Sequence, residues 1–403
     1  MRVIIVGSGI AGITAARTIR EQSPDTKIEI YTEEEDHYYP RPQLIELLAE
    51  RVPLERVFLY NEQWYRDRGI AIHLRARVEG LEPERGQIIL RNGAKAGYDR
   101  LLLATGARPH LPQIPGIEHE GIFTLRTVRD ALALKGGAQG AKELLVIGGG
   151  LLGLEAARAI CAATGARAYV LERREWPLSR QLDRQSGELL MERLREMDVE
   201  IITAAQSKGI LGDGRVREVE LADGRTIEGD LVLITTGIQP NSELAQQAGL
   251  KVNRGVTVDQ HLQTSAPEVY AAGDVAEFKG RIYGIIPAAL DQARTAALNI
   301  VGQEAKYRGT VPFNTLQVAG IELFSVGEIN PQGEGYEEQR LRDEERGIYK
   351  RLVFKDGKLV GAILLGTKKN SVQLARLIAS GRDLADYKQG LLADDFDFKG
   401  LLG

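Results

Sequence analysis

Apolar positions along this chain group into one unit that occurs twice and then into a different texture. Val3-Ile4-Ile5-Val6 is a short run rich in β-branched residues, followed at once by Gly7-Ser8-Gly9-Ile10-Ala11-Gly12 and then by helix-compatible residues over 13–21. That order predicts strand, glycine turn, helix. A second strand is predicted over Lys27–Tyr31, with the acidic cluster Glu33, Glu34 and Glu35 behind it. The same order returns with a strand over 144–147, the loop Gly148-Gly149-Gly150-Leu151-Leu152-Gly153, a helix over 154–164, a strand over 168–171, and Glu172.

The repeat extends to how each unit closes. Arg100-Leu101-Leu102-Leu103-Ala104-Thr105-Gly106-Ala107-Arg108-Pro109 and Leu231-Val232-Leu233-Ile234-Thr235-Thr236-Gly237-Ile238-Gln239-Pro240 each read as a buried parallel strand ending in Thr-Gly, with proline beyond. Val269-Tyr270-Ala271-Ala272-Gly273-Asp274 is a further strand, and its carboxylate lies past the C-terminal end, where open α/β sheets bind ligands. Pro287-Ala288-Ala289 opens a helix through Asp291, Arg294 and Asn299, with proline in the first turn, where a missing N–H costs nothing.

From Thr310 the pattern shortens. Strands are predicted over 314–318, 322–326, 349–355 and 359–365, then a helix over Ser371–Ser380. The acidic stretch 334–345 reads as a solvated loop, and Ala393-Asp394-Asp395-Phe396-Asp397-Phe398 as a loose tail or a strap over a neighbour.

Composition narrows the chemistry. A chain of 403 residues supports two or three cores. With 52 basic and 56 acidic residues and a net charge of -4, it has no global field to attract a phosphate backbone, so nucleic acid is excluded as an expected partner. The single cysteine, Cys161, rules out an internal disulfide and a Cys-x-x-Cys site. Five histidines, at 37, 73, 110, 119 and 261, lack ligand spacing, so no metal is expected. No run is long enough to span a membrane, and Met1 leads straight into a strand without a basic leader. The expected location is the cytoplasm.

Each glycine loop carries a physical logic. The first glycine makes the tight turn, the second lets the backbone approach a pyrophosphate, and the third lets helix and strand pack closely. The helix N-terminus then offers free N–H groups to phosphates, and the acid ending the next strand accepts from ribose hydroxyls. One such loop is a weak signal. Two, each in strand-turn-helix context with its acid, point to two dinucleotide sites.

On these loops, both Thr-Gly ends and the segment Thr264-Ser265-Ala266-Pro267-Glu268-Val269-Tyr270-Ala271-Ala272-Gly273-Asp274, the chain resembles the flavoproteins of the pyridine nucleotide-disulfide oxidoreductase superfamily. Tyr38-Tyr39-Pro40-Arg41-Pro42-Gln43-Leu44 is similar to the segment of NADH:rubredoxin and NADH:ferredoxin reductases and nitrite reductase flavin domains. The resemblance implies an α/β fold with two Rossmann-like dinucleotide-binding domains and a C-terminal α+β interface domain. An FAD domain over 1–110 and 240–310 is split by an inserted NAD(P)H domain over 111–239, and the last domain covers 311–403. It implies that Gly7, Gly9, Ile10, Ala11 and Gly12 cradle the FAD pyrophosphate, that Glu33 or Glu34 holds the adenosine ribose, and that Arg41 and the main chain at Val78 lie along the adenine side. Thr105, Gly106 and Arg108 would line the flavin, Gly273 and Asp274 the ribityl or phosphate oxygens, and the helix at Pro287 and Ala288 would face the flavin N1 and O2 edge. Gly148, Gly150, Leu152, Gly153, Glu172 and Gly237 would serve the nicotinamide nucleotide. Glu155 would be the catalytic residue, beside the stacked rings.

Two departures limit the reaction. Superfamily members that reduce disulfides carry Cys-x-x-x-x-Cys where this chain has Tyr39-Pro40-Arg41-Pro42-Gln43-Leu44, so a disulfide product is not expected. Cys161, on an apolar helix, reads as a packing residue. Glu46 replaces a lysine that in related reductases can pair with the acid at Glu155, and reads as an exposed helix residue. The resemblance therefore implies hydride transfer from NAD(P)H to FAD, then single electrons to a small carrier such as rubredoxin or ferredoxin. Glu172 favours NADH, because a carboxylate repels a 2′-phosphate, although Arg173 and Arg174 follow it. A nitrite reductase-type flavin component, an oxidase or quinone reductase, a flavin-based redox sensor and a homodimer all stay open.

Overall fold

A computed structural model describes residues 1–310, the backbone of 313–318, and 320–401. It divides into two compact units, one of residues 1–47, 51–110 and 238–310, the other of residues 48–50, 111–237 and 311–403.

In the first unit, five parallel strands lie in the order Val269–Ala271, Arg100–Leu103, Arg2–Val6, Lys27–Tyr31, Ile70–His73. Val3, Ile4, Ile5, Leu101 and Leu102 are fully buried, which fits strands covered on both faces. Helix Ile10–Gln22 packs against helix Ile286–Ile300, and both contribute alanines (Ala15, Ala16, Ala289, Ala293, Ala296, Ala297) to the core, small enough for the backbones to approach closely.

The second unit repeats the plan, with parallel strands in the order Ile122–Phe123, Leu231–Ile234, Glu143–Ile147, Arg167–Leu171, Val199–Ile202. In both sheets the strand that enters the glycine loop is central and the Thr-Gly strand lies beside it. A three-stranded antiparallel meander (Val78–Glu82, Gln87–Leu90, Lys95–Gly97) precedes the closing strand of the first sheet, and another (Ser207–Gly212, Val216–Leu221, Thr226–Glu228) that of the second. The sequence reading did not predict either meander.

The second unit also holds a five-stranded antiparallel sheet in the order Phe313–Val318, Ile321–Gly327, Lys358–Leu365, Ile348–Lys355, Tyr336–Asp343, with helix Ser371–Ser380 packed on it. Two expectations are corrected here. The stretch read as a solvated loop contains the edge strand Tyr336–Asp343, which pairs with Ile348–Lys355 along its whole length. Its residues are mostly exposed, so polarity hid the strand; charged edges are a common protection against edge-to-edge pairing. The segment 393–398 is not a loose tail. Phe396 and Phe398 pack on this same sheet's core, and the Asp394 carboxylate accepts from the buried Lys350 ammonium at 2.5 Å. Helices Ile10–Gln22 and Leu151–Thr164 begin three residues earlier than expected, because each glycine loop itself forms the first turn.

One buried charge in the first unit sets an acid response. The Glu29 carboxylate accepts from Arg2 at 3.0 Å, Lys27 at 2.7 Å and the Tyr31 hydroxyl at 2.9 Å. Burial pushes its pKa up, but these bonds outweigh it and hold the group at about 2, below the ordinary 4.5. A lowered folded pKa means that the stabilisation is complete above pH 4.5 and is lost as the pH falls toward 2. Glu29→Gln should therefore be less stable than the parent at neutral pH and converge with it near pH 2, as read by urea unfolding across that range. Parallel pH profiles for the two proteins would contradict this.

Candidate functional site

The two glycine loops have the same geometry. Gly7 has φ +108°, and a Cβ there would stand 2.2 Å from the Ala104 carbonyl oxygen; Gly148 has φ +118°, and a Cβ would stand 2.7 Å from that of Thr235. A Cβ on Gly12 would fall 2.1 Å from the Gly7 carbonyl oxygen, and one on Gly153 2.3 Å from that of Gly148. These four positions are closed to any side chain.

Gly9 and Gly150 differ from them. Each is the N-cap of its helix with ordinary extended φ (-70° and -80°), and a Cβ on either would meet nothing within 4 Å. Neither helix has a side-chain cap or an acid in its first turn. The helix N–H groups thus open into free space under a missing side chain, the arrangement a pyrophosphate requires. Ala11 is buried, Ile10 half-buried, and Leu152 is 40% exposed on the first turn of the second helix.

The acids diverge. Glu172, ending strand Arg167–Leu171, folds back on its loop and accepts from the Gly149 N–H at 2.9 Å and the Arg174 N–H at 2.8 Å. In the first unit, Glu34 accepts from Arg41 at 2.5 Å and from the Tyr39 hydroxyl at 2.6 Å, and the Arg41 guanidinium lies 4.8 Å from the Tyr39 ring centre. Glu33 is exposed and pairs with Arg77 at 3.1 Å. Val78 opens its meander half-buried against the first unit's core.

Thr105, Gly106 and Arg108 gather round a residue that sequence reasoning missed. Asn241 donates its side-chain N–H to the Thr105 carbonyl at 2.9 Å and its backbone N–H to the Gly106 carbonyl at 2.9 Å. In return it receives the Thr105 hydroxyl on its carbonyl at 2.8 Å and Arg108 on its side-chain oxygen at 3.0 Å. Arg108 also pairs with Glu243 at 2.5 Å. Strands Ala107–Pro109 and Ile238–Pro240 pair antiparallel at this point, so Asn241 ties the chain leaving the unit to the chain returning. Its only sequence signal is its place after the second Thr-Gly-x-x-Pro. Gln292, also missed, is buried on helix Ile286–Ile300 and accepts from the Gly273 N–H at 2.8 Å, fixing the loop that carries half-buried Asp274. Pro287 lies in the first turn of that helix, again without a side-chain cap or acid, and Ala288 is buried beside it. Glu155 is half-buried on helix Leu151–Thr164, and Gly237 is exposed with φ +123°.

Glu46 lies on helix Gln43–Leu48 and faces Arg51 at 3.4 Å. Cys161 is buried, and burial pushes its thiol up to about 11. Its sulfur points at the Asp198 carbonyl, 3.7 Å away. Cys161→Ala should accordingly leave the visible spectrum and turnover unchanged, and the native protein should react with a thiol reagent only on unfolding; rapid labelling of the folded protein would contradict this. Among the described residues, no group of histidine, cysteine, aspartate and glutamate is placed to hold a metal, and no helix is long and apolar enough to cross a membrane.

The pyridine nucleotide-disulphide oxidoreductase family model matches residues 1–293, well over half the chain. The chain belongs to this family. The rubredoxin NAD+ reductase C-terminal domain model matches residues 312–382. Among relatives of this oxidoreductase, the nitrite reductase [NAD(P)H] of Bacillus subtilis is 33% identical over 96% of the chain and 48% of its own length. The ferredoxin--NAD(+) reductase component of the biphenyl dioxygenase system of Paraburkholderia xenovorans is 35% identical over 82% of each. A ferredoxin reductase of Rhodopseudomonas palustris, 27% identical, superposes with a TM-score of 0.88 over 100% of both chains. The chain spans about half the length of the nitrite and nitrate reductase relatives it matches.

Proposed function

We propose that this protein is an FAD-dependent oxidoreductase that takes hydride from NADH and delivers electrons to a small carrier protein such as rubredoxin or ferredoxin. The observation that carries the reading is the pair of equivalent uncapped loops, at Gly9 and at Gly150, each on a five-stranded parallel sheet whose central strand enters the loop and has the Thr-Gly strand beside it. When bound, FAD supplies the conversion of a two-electron hydride donor into a one-electron source.

In this reading residues 1–110 and 240–310 bind FAD, residues 111–239 bind the nicotinamide nucleotide, and residues 311–403 form the C-terminal domain. Gly9 and the N–H groups at Ile10 and Ala11 receive the FAD pyrophosphate, and Glu34, oriented by Arg41 and Tyr39, receives the adenosine ribose. The main chain at Val78 borders the adenine. Thr105, Gly106 and Arg108, fixed by Asn241, line the flavin, with Asp274 on its ribityl chain. The helix N-terminus at Pro287 and Ala288 offers a partial positive charge to the flavin edge that gains negative charge on reduction.

Gly150, Leu152 and Gly237 border the nucleotide, and Glu155 the nicotinamide. Glu172 is held by two backbone N–H groups and keeps lone pairs for ribose hydroxyls, which supports NADH over NADPH. The absence of sulfur at residues 39–44 supports a carrier over a disulfide as acceptor. A cytoplasmic location completes the reading. The half-length match to nitrite reductases favours, as a second reading, the reductase component of a larger nitrite-reducing system.

Anaerobic mixing with NADH should bleach the visible flavin band, and oxidised rubredoxin or a [2Fe-2S] ferredoxin should restore it faster than oxygen does. Bleaching that neither carrier reverses would remove the carrier and favour the second reading. A protein that stays colourless when FAD is added would remove both.

A further inference from the structure

The loop from strand Ala276–Phe278 to helix Ile286–Ile300 begins with a tight turn at Lys279-Gly280. Both residues have positive φ (50° and 74°), and Phe278 and Arg281 exchange backbone hydrogen bonds of 3.0 Å across it. Beneath the turn is a cluster of rings. Phe278 meets Tyr307 edge-on at 4.9 Å, Tyr283 meets Tyr307 at 6.0 Å, and Phe278 and Tyr307 are buried.

Two exposed cations stand on this cluster, and a third exposed cation adjoins it in the chain. The Lys279 ammonium lies 5.3 Å from the Phe278 ring centre and the Arg281 guanidinium 5.7 Å from that of Tyr283, while Arg308 directly follows Tyr307. Among the described residues none of the three has a carboxylate partner, although exposed Arg51, Arg75, Arg91, Arg184 and Arg225 all do. Two carboxylates on the elements flanking this loop are engaged elsewhere. Glu277 is buried and accepts from Asn253 and from the Arg254 and Gly255 N–H groups, and Asp291 accepts from Thr310 at 3.1 Å and faces Arg294. In a chain of net charge -4, this is a local positive surface on a rigid aromatic base.

We propose that Lys279, Arg281 and Arg308 form the docking surface for the acidic face of a small electron-carrier protein. The inference rests on the carrier reading above and adds its place to it. The loop runs directly into the helix N-terminus assigned to the flavin, so a carrier seated here contacts the unit that would donate the electron. Cations without a carboxylate partner lose no ion pair when a carrier's carboxylates arrive, and the Phe278 and Tyr283 rings hold Lys279 and Arg281 in place before binding. Complementary charge of this kind acts chiefly on the rate of encounter and fades with salt.

The test compares holoenzyme reducing oxidised rubredoxin, a [2Fe-2S] ferredoxin and uncharged menadione, from low to high salt. For at least one carrier, the parent's KM should rise with salt. The triple variant Lys279→Glu, Arg281→Glu, Arg308→Glu should raise that KM by about tenfold or more at low salt and reverse or abolish its salt dependence. Its flavin spectrum and menadione turnover should not change, and the charge-conserving Lys279→Arg, Arg281→Lys, Arg308→Lys variant should behave as the parent. Unchanged carrier kinetics in the glutamate variant overturn the docking surface alone. A parent that reduces menadione but neither carrier overturns the carrier reading and the surface together. Parallel loss of menadione turnover in the glutamate variant assigns the cations to folding and also overturns the surface.

Discussion

Gly150→Asp should abolish use of NADH while leaving the protein as stable as the parent, or more so. Gly150 has backbone angles any residue adopts, and a Cβ there meets nothing, so the substitution introduces no strain. Aspartate is also a favoured N-cap, worth about 1 kcal/mol to the helix it starts. The same carboxylate, however, would occupy the space under the free N–H groups and repel a pyrophosphate. A loss of about 3 kcal/mol or more in nucleotide binding corresponds to roughly a hundredfold or greater rise in KM. Stability and function should therefore move in opposite directions, which a folding defect cannot mimic. Gly9→Asp should do the same for FAD and yield a colourless but folded protein. By contrast Gly12→Ala, whose Cβ would meet a carbonyl oxygen at 2.1 Å, should lose fold and cofactor together. Unaltered NADH kinetics in Gly150→Asp, measured beside its thermal unfolding, would remove this loop from the nucleotide site.

What the sequence disclosed follows from how local each signal is. The glycine loops, the strands entering them and the uncapped helices are written in contiguous residues, and at Gly7, Gly12, Gly148 and Gly153 only glycine fits. Asn241 and Gln292 were not legible, because their roles depend on partners far along the chain, Thr105 and Arg108 for one and Gly273 for the other. The choice between Glu33 and Glu34 was also open in the sequence. The structure places the two differently: Arg41 and Tyr39 bond to Glu34, while Glu33 pairs with Arg77 on the surface, which favours Glu34 in the proposed reading. The edge strand Tyr336–Asp343 was misread because strand prediction rests on alternation of apolar and polar positions, and an edge strand with one flank in solvent need not alternate.

The misread strand carries the other large effect. Arg351, 4% exposed on the neighbouring strand Ile348–Lys355, faces Glu338 of the edge strand at 2.5 Å, the Ile329 carbonyl at 2.7 Å and Asp183 at 3.3 Å. Asp183 is itself buried. It caps helix Arg184–Arg195 through Ser186 and accepts from the Tyr349 hydroxyl at 2.6 Å. Arg351 thus pairs with two carboxylates, of which Glu338 also faces Arg340 at 2.5 Å, and it links the antiparallel sheet to a helix of the parallel-sheet layer within the same unit. Arg351→Ala should leave Asp183 as an uncompensated buried charge, a defect that typically costs about 3–5 kcal/mol. For a unit of this size that lowers Tm by roughly 6–20 °C. Asp183→Asn retains a good N-cap but removes the charge left stranded, so Arg351→Ala should cost distinctly less in that background. Hydrogen bonding from Arg351 also holds Glu338 below its ordinary pKa. The stabilisation from that pair is therefore present above the usual glutamate range and lost as the pH falls through the lowered value, and it should be missing from the Arg351→Ala profile. Additive single and double substitutions in urea unfolding would show that Arg351 and Asp183 act independently, and that the contact between them does not hold the two layers together.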